Sequence, residues 1–194
     1  MNPTATLVLN NGKSIVIELL PEAAPNTVNS FIFAALNGVY NQHAIERIVS
    51  GNWIDMSYSA FHNEKAKYLI PYESQLHPEI EPLPSIAGCV CMGGYDELGL
   101  SGCEFFFTLR DCPEHRGVYP VFGRVIEGID ELYRLEKVKT KPITDFPYKN
   151  VEINEPIQPE IIRKVEVDLK GFKYDRPIKL PSQVLPKCWA MEYR

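Results

Sequence analysis

Residues 5–9 and 13–19 alternate apolar and polar side chains, the period of a strand with one face buried, and Asn10-Asn11-Gly12 between them accepts the positive φ of a tight turn. A chain that starts this way is committed to a β-hairpin, and its buried face must be covered by more of the same sheet or by a helix. Pro21 and Pro25 break the second strand. A helix follows with Val28, Phe31, Ile32, Ala35 and Leu36 on one face, capped by Asn26 or Thr27 and ended by Asn37-Gly38.

The pattern continues in short pieces. Residues 86–92 are small and apolar, and a Gly-rich turn runs from Gly93-Gly94 through Gly102. Residues 104–109 then form a strand with Phe105 and Phe107 on one side and Glu104, Phe106 and Thr108 on the other. Residues 121–125 make another strand, and Gly128-Ile129-Asp130 leads into a second helix carrying Ile129, Leu132, Tyr133 and Leu135. A last strand spans 161–168, with Ile162, Lys164 and Glu166 on one side and Ile161, Arg163, Val165 and Val167 on the other. Residues 56–84 show no sustained period and are expected to be a long surface loop; 137–159 reads as a proline-studded connection. Many short strands with turn signals and two modest helices predict a closed or nearly closed antiparallel barrel with helices at its ends.

Composition narrows the function. With 194 residues, 45% of them hydrophobic, the chain is sized for one domain with a developed core. A net charge of -5 argues against nucleic-acid binding, which needs a cationic surface. No apolar run approaches the roughly 20 residues of a membrane span, and the first residues lack a signal-peptide layout, so no membrane association and a cytoplasmic location are expected. The 5 cysteines, Cys89, Cys91, Cys103, Cys112 and Cys188, are expected to be reduced; Cys89 and Cys91 share a strand face, and finger-like zinc spacing is lacking, so neither metal nor cofactor is expected. The sequence sets no oligomeric state.

One residue breaks the apolar run of 45–55: Arg47, among Ile45, Ile48, Val49, Trp53 and Ile54. A guanidinium is always charged and holds its donors in a rigid fork, so on an apolar floor it needs an acceptor. A structural ion pair and a ligand-facing role are equal alternatives on this stretch alone. Phe106 is by itself a core residue, Trp53 is packing or pocket, His43 and His115 read as surface histidines, and Tyr119 as a strand end.

Four ordered pieces, GKSIVIELLPEAAPNTVNSFI, ERIVSGNW, GCEFFFTL and YPVFGRVIEGIDEL, resemble the cyclophilin family of peptidyl-prolyl isomerases over about residues 5–170. The resemblance implies a mainly β fold, a closed eight-stranded antiparallel barrel capped by two α-helices, occupying residues 1–171, with a C-terminal extension at 172–194. The extension holds Phe172, Tyr174, Leu180, Val184, Leu185 and Trp189, too apolar for a disordered tail, and is expected against the barrel or a partner chain.

By the same resemblance the substrate is a proline-containing peptide or unfolded chain lying in an outer groove, with Arg47 and Phe106 as catalytic residues and no cofactor. Asn52, Trp53, Asp55, Gly94, Glu104, His115 and Tyr119 fall on substrate-binding positions, and Gly93-Gly94-Tyr95 on the segment that pairs with the peptide backbone. The departures are specific. Asn52 stands at the pocket phenylalanine, Asp55 and Glu104 at two glutamines, Tyr119 at the groove histidine, His115 at a leucine, and Glu114 at the tryptophan tied to cyclosporin binding, which implies weak binding of that drug. Three functions are therefore in play: an isomerase, a weak or inactive proline-peptide module, and a scaffold assembled through the tail around Trp189.

Overall fold

The computed structural model describes residues 1–143, 153–181 and 184–190. Residues 144–152 of the expected connection, and residues 182–183 and 191–194 of the extension, lie outside the described residues.

β1 (Thr4–Leu9) and β2 (Ser14–Leu19) form the hairpin, with Leu7 opposite Ile15 and Ala5 opposite Ile17. The chain continues through α1 (Pro25–Leu36), β3 (His43–Ala44), β4 (Arg47–Val49), β5 (Trp53–Asp55), β6 (Leu69–Ile70), the one-turn α2 (Glu73–Leu76), β7 (Cys89–Gly94), β8 (Leu100–Thr108), β9 (Val121–Glu127), α3 (Ile129–Glu136), β10 (Thr140–Pro142), β11 (Asn154–Pro156) and β12 (Ile161–Asp168). β10 and β11 pair with each other; the rest form one 10-stranded antiparallel sheet in the order β3-β12-β1-β2-β9-β7-β8-β5-β4, with β6 also on β8.

The expected closed eight-stranded barrel is corrected to a curled sheet that stays open. Its two ends, β3 and β4, are only three residues apart in sequence, so Ala44 and Arg47 lie within about 10 Å of each other. The linking backbone bonds elsewhere: Ile45 N–H donates to the Glu160 carbonyl at 2.8 Å, so no ladder forms across the gap. No helix among the described residues is long and apolar enough to cross a membrane.

The concave side holds the core. Phe31 from α1 meets Tyr40 at 5.5 Å, Phe105 at 5.3 Å and Phe122 at 5.2 Å between ring centroids, and all four side chains are fully buried. α1 starts at Pro25, with Asn26 and Thr27 inside its first turn rather than capping it. The cap comes from a distant carboxylate: Glu73 Oε1 of α2 accepts both the Thr27 N–H and the Thr27 hydroxyl at 2.6 Å, as the positive end of a helix favours.

Within the expected surface loop of 56–84, residues 56–70 are corrected to core contributors, since Met56, Ala60, Phe61, Ala66, Leu69 and Ile70 are all buried, while 74–84 stay at the surface. Their contacts are long-range, with β6 pairing on β8, and no local period reports them. β12 departs from simple alternation too. A bulge between its contacts with Val8 and Leu9 turns Ile162 to the same buried side as Val165, which strict alternation had placed on the opposite face.

The extension crosses this framework. Asn26 donates to the Ile178 carbonyl at 3.0 Å and accepts the Ile178 N–H at 2.7 Å. Leu180 N–H donates to the Leu69 carbonyl at 2.9 Å, and Trp189 is buried against Phe61 with rings stacked at 5.2 Å.

Candidate active site

Four strands joined by three pairings set out a row of side chains on the outer face of the sheet. Register puts Arg47 opposite Asp55, Asp55 opposite Phe106, and Phe106 opposite Cys91. Directly opposed residues project from the same face. Alternation along β8 therefore divides its phenylalanines: Phe105 and Phe107 enter the main core, while Phe106 joins a separate cluster with Cys89, Cys91, Val121, Trp53 and Tyr119.

This outer cluster borders an open recess of about 420 Å³ of empty volume, lined by Arg47, Trp53, Asp55, Gly93, Gly94, Glu104, Phe106, His115 and Tyr119. The aromatic wall is continuous. Phe106 lies 5.5 Å from Tyr119 and 5.6 Å from His115, both edge-on, and Trp53 lies 5.6 Å from His115. His115, read as a surface histidine, is only 6% exposed, and burial holds its imidazole pKa below the usual value and so neutral at pH 7. His43 is half-buried, and burial lowers its pKa to about 4.

Asn52 does not line the recess. It sits in the turn between β4 and β5, where its Oδ1 accepts from Arg110 Nε at 2.8 Å. The wall at this point is Trp53, one residue on. Glu114 is held outside by Arg110 at 2.6 Å. Cys112, Glu114 and His115 bring ligand-type atoms within 4.8 Å of one another, but the Arg110 charge on Glu114 opposes a cation there.

The polar side of the recess is an unusual trio. Arg47 Nη1 pairs with Asp55 Oδ2 at 3.6 Å, and its guanidinium carbon lies 5.7 Å from the ring centroids of both Trp53 and Tyr58. Asp55 is 1% and Glu104 6% exposed, and both line the recess beside Arg47. Burial first, and then the charge of Asp55, pushes the Glu104 pKa well above the carboxylate range. Burial also raises Asp55, but the Arg47 charge opposes that rise. Of the two, Glu104 is the carboxyl that burial and the neighbouring charge most favour in its neutral form, while the Arg47 charge supports ionised Asp55. A protonated glutamate has one donor and an acceptor oxygen, much as a glutamine side chain offers both.

Two contacts here had no signal in the sequence. Tyr95 donates from its hydroxyl to Glu104 Oε2 at 2.5 Å, and Trp189 donates from Nε1 to that same Tyr95 oxygen at 2.9 Å. Gly93 makes room for the carboxyl, since a Cβ there would lie 2.8 Å from Glu104 Cδ. Positions 95 and 189 are far apart in the chain, and no spacing rule links them.

Comparisons with known proteins bear on the family and the fold. The family model described as cyclophilin type peptidyl-prolyl cis-trans isomerase matches residues 4–156. The chain is 30% identical over 142 residues to the Mus musculus peptidylprolyl isomerase domain and WD repeat-containing protein 1, covering 72% of this chain and 21% of that protein. It is 29% identical over 148 residues to peptidyl-prolyl cis-trans isomerase-like 1 of Aspergillus fumigatus, covering 72% of this chain and 86% of that one. A crystal structure of a Cryptosporidium parvum cyclophilin type isomerase superposes with a TM-score of 0.67 at 20% identity, covering 87% of this chain and 98% of that one. The chain belongs to the cyclophilin-type peptidyl-prolyl cis-trans isomerase family.

Proposed function

We propose that the recess binds a prolyl peptide and that the chain catalyses cis–trans rotation of X–Pro bonds, with Arg47 and Phe106 in the catalytic roles. Twisting an amide costs about 18–20 kcal/mol because resonance is lost. No covalent bond has to break, so a catalyst needs only to hold the twisted amide better than the planar one. At the twist the nitrogen regains its lone pair. A guanidinium N–H from Arg47 gains a hydrogen bond there that the planar amide cannot offer, and the aromatic wall strengthens it by excluding water while gripping the proline ring.

The observation that carries this reading is that Arg47 and the wall of Phe106, Trp53, His115 and Tyr119 open to one recess. A Cryptosporidium parvum relative has also been crystallised in the presence of the dipeptide Ala-Pro, which supports a proline-containing ligand for this chain. Asp55 competes with substrate for the guanidinium, so the proposed activity is reduced and disfavours acidic residues beside the proline. Asp55→Gln is expected to raise turnover severalfold.

The test is a proline-peptide isomerisation assay on wild type and Arg47→Ala. A fall of about a hundredfold or more in kcat/KM is expected, the usual size for losing one donor aimed at a transition state. Equal rates remove the proposal. The Arg47–Asp55 ion pair favours one second reading, a proline-peptide module without useful turnover, and peptide binding with no acceleration would establish it.

A further inference from the structure

We infer that the C-terminal extension is part of the site: Trp189 and Tyr95 are positioning residues that act on Arg47 through Glu104 and Asp55. The inference rests on the isomerase reading for its kinetic consequence and on geometry for everything else.

The connection is a directed chain of donors. An indole N–H can only donate, so Trp189 Nε1 occupies a lone pair of the Tyr95 oxygen, at 2.9 Å. Tyr95 passes its own hydrogen to Glu104 Oε2 at 2.5 Å. Glu104 lines the same recess as Asp55, whose carboxylate lies 3.6 Å from Arg47, and a neutral Glu104 has a hydrogen to offer that carboxylate. Each donor in such a series polarises the next, so all of them converge on the Asp55 charge. A carboxylate whose charge is shared in this way pulls less strongly on its cation, and Arg47 keeps more of its donor capacity for the substrate.

The parts are held too firmly for a casual contact. The extension is tied down at Asn26 by two hydrogen bonds to Ile178 and at Leu69 by the Leu180 N–H, and Lys179 Nζ sits 3.7 Å from the Tyr68 ring centroid. Trp189 is stacked on Phe61 and edge-on to Tyr95 at 5.5 Å. Gly93 lets the Glu104 carboxyl pack directly on β7. Residues 172–190 lie beyond the matched family region of 4–156, so this support is supplied from outside it.

The sign of the effect follows from hydrogen bonding. A donor to a carboxyl favours its charged form, so removing the donor raises the pKa. The titratable groups that face Glu104 are Asp55 on β5, Arg47 on β4, Tyr95 beyond β7, Cys103 beside it on β8, and Tyr119 ahead of β9. Only Tyr95 leads back to the extension.

The experiment follows the side-chain carboxyl carbons of Asp55 and Glu104 by NMR across a pH titration, in wild type, Trp189→Phe and Tyr95→Phe. Phenylalanine keeps an aromatic ring at each position; it deletes the indole N–H together with part of the bicycle at 189, and the whole hydroxyl at 95. The upper midpoint of the Asp55–Glu104 pair is expected to rise by about half to one pH unit in both variants. In the isomerase assay kcat/KM at neutral pH falls about twofold to tenfold, while the alkaline loss of activity moves to higher pH. A packing role predicts the opposite shift, because a loosened extension admits water and eases Glu104 ionisation. Unchanged or lowered midpoints in folded Trp189→Phe and Tyr95→Phe overturn the inference. Should wild type and Arg47→Ala isomerise equally, the isomerase reading falls, and the titration alone still decides whether the donor chain operates.

Discussion

Two partly buried arginines in this molecule have opposite settings. Arg134 on α3 donates to both oxygens of Glu160, at 2.6 and 2.9 Å, and to Glu131 at 2.7 Å. Arg47 stands 3.6 Å from the Asp55 carboxylate, and it lines a recess walled by aromatic rings. In the first case the guanidinium fork is saturated by two carboxylates and its work is to pin the helix to the segment before β12. In the second the guanidinium lines a recess among aromatic rings, where the proposed ligand would meet it. What surrounds each cation, a pair of carboxylates or an aromatic-walled recess, is what separates the structural role from the proposed catalytic one.

The largest effect that would break this comparison is on activity. Arg47→Ala is expected to cost about a hundredfold in kcat/KM with little change in Tm, whereas Arg134→Ala keeps its catalytic rate. If both variants lose activity equally, the distinction is wrong. Next comes stability. Losing the Arg134 bonds, discounted for its exposure at the surface, is worth about 1–2 kcal/mol, or a Tm lower by about 3–6 °C in a thermal melt.

The pH dependence sharpens the contrast further. The Glu104 pKa is raised above its ordinary 4.5, so its contribution to stability is fully present below that value and is lost as pH rises through the raised one. Glu104→Gln carries no such titration. Its stability, measured by denaturant melts at several pH values, is expected to stay flat where that of wild type declines, and its isomerase activity to lose the alkaline fall. The smallest effect is at the surface, where Arg110→Ala removes exposed bonds to Asn52 and Glu114 and leaves Tm and turnover unchanged within error.

Much of the site was legible from local pattern. Alternation on β8 divides Phe106 from Phe105 and Phe107, and one arginine in an apolar strand marks Arg47 as needing an acceptor. What escaped were features with no local signature. The burial of 56–70 comes from pairing with β8, the inward turn of Ile162 from a bulge, and the burial of His115 from packing among Phe106, Trp53 and Tyr119. Asn52 shows the limit of position-by-position transfer, since the turn directs it to Arg110 and hands the wall to Trp53.

The order of residues alone determined that the chain builds antiparallel strands, that it belongs with the cyclophilin barrels, and which cation lies on the outer face. The strands follow from period-two patterning, which acts over a few neighbouring residues, whereas the family and the outer place of Arg47 follow from the resemblance of four ordered motifs. Only the tertiary structure decided that the sheet stays open between β3 and β4, that burial beside Asp55 favours the neutral form of Glu104, and that Trp189 reaches Tyr95. Proton location depends on burial and on the charge of groups brought together from distant parts of the chain, and that energy does not exist until the chain has folded.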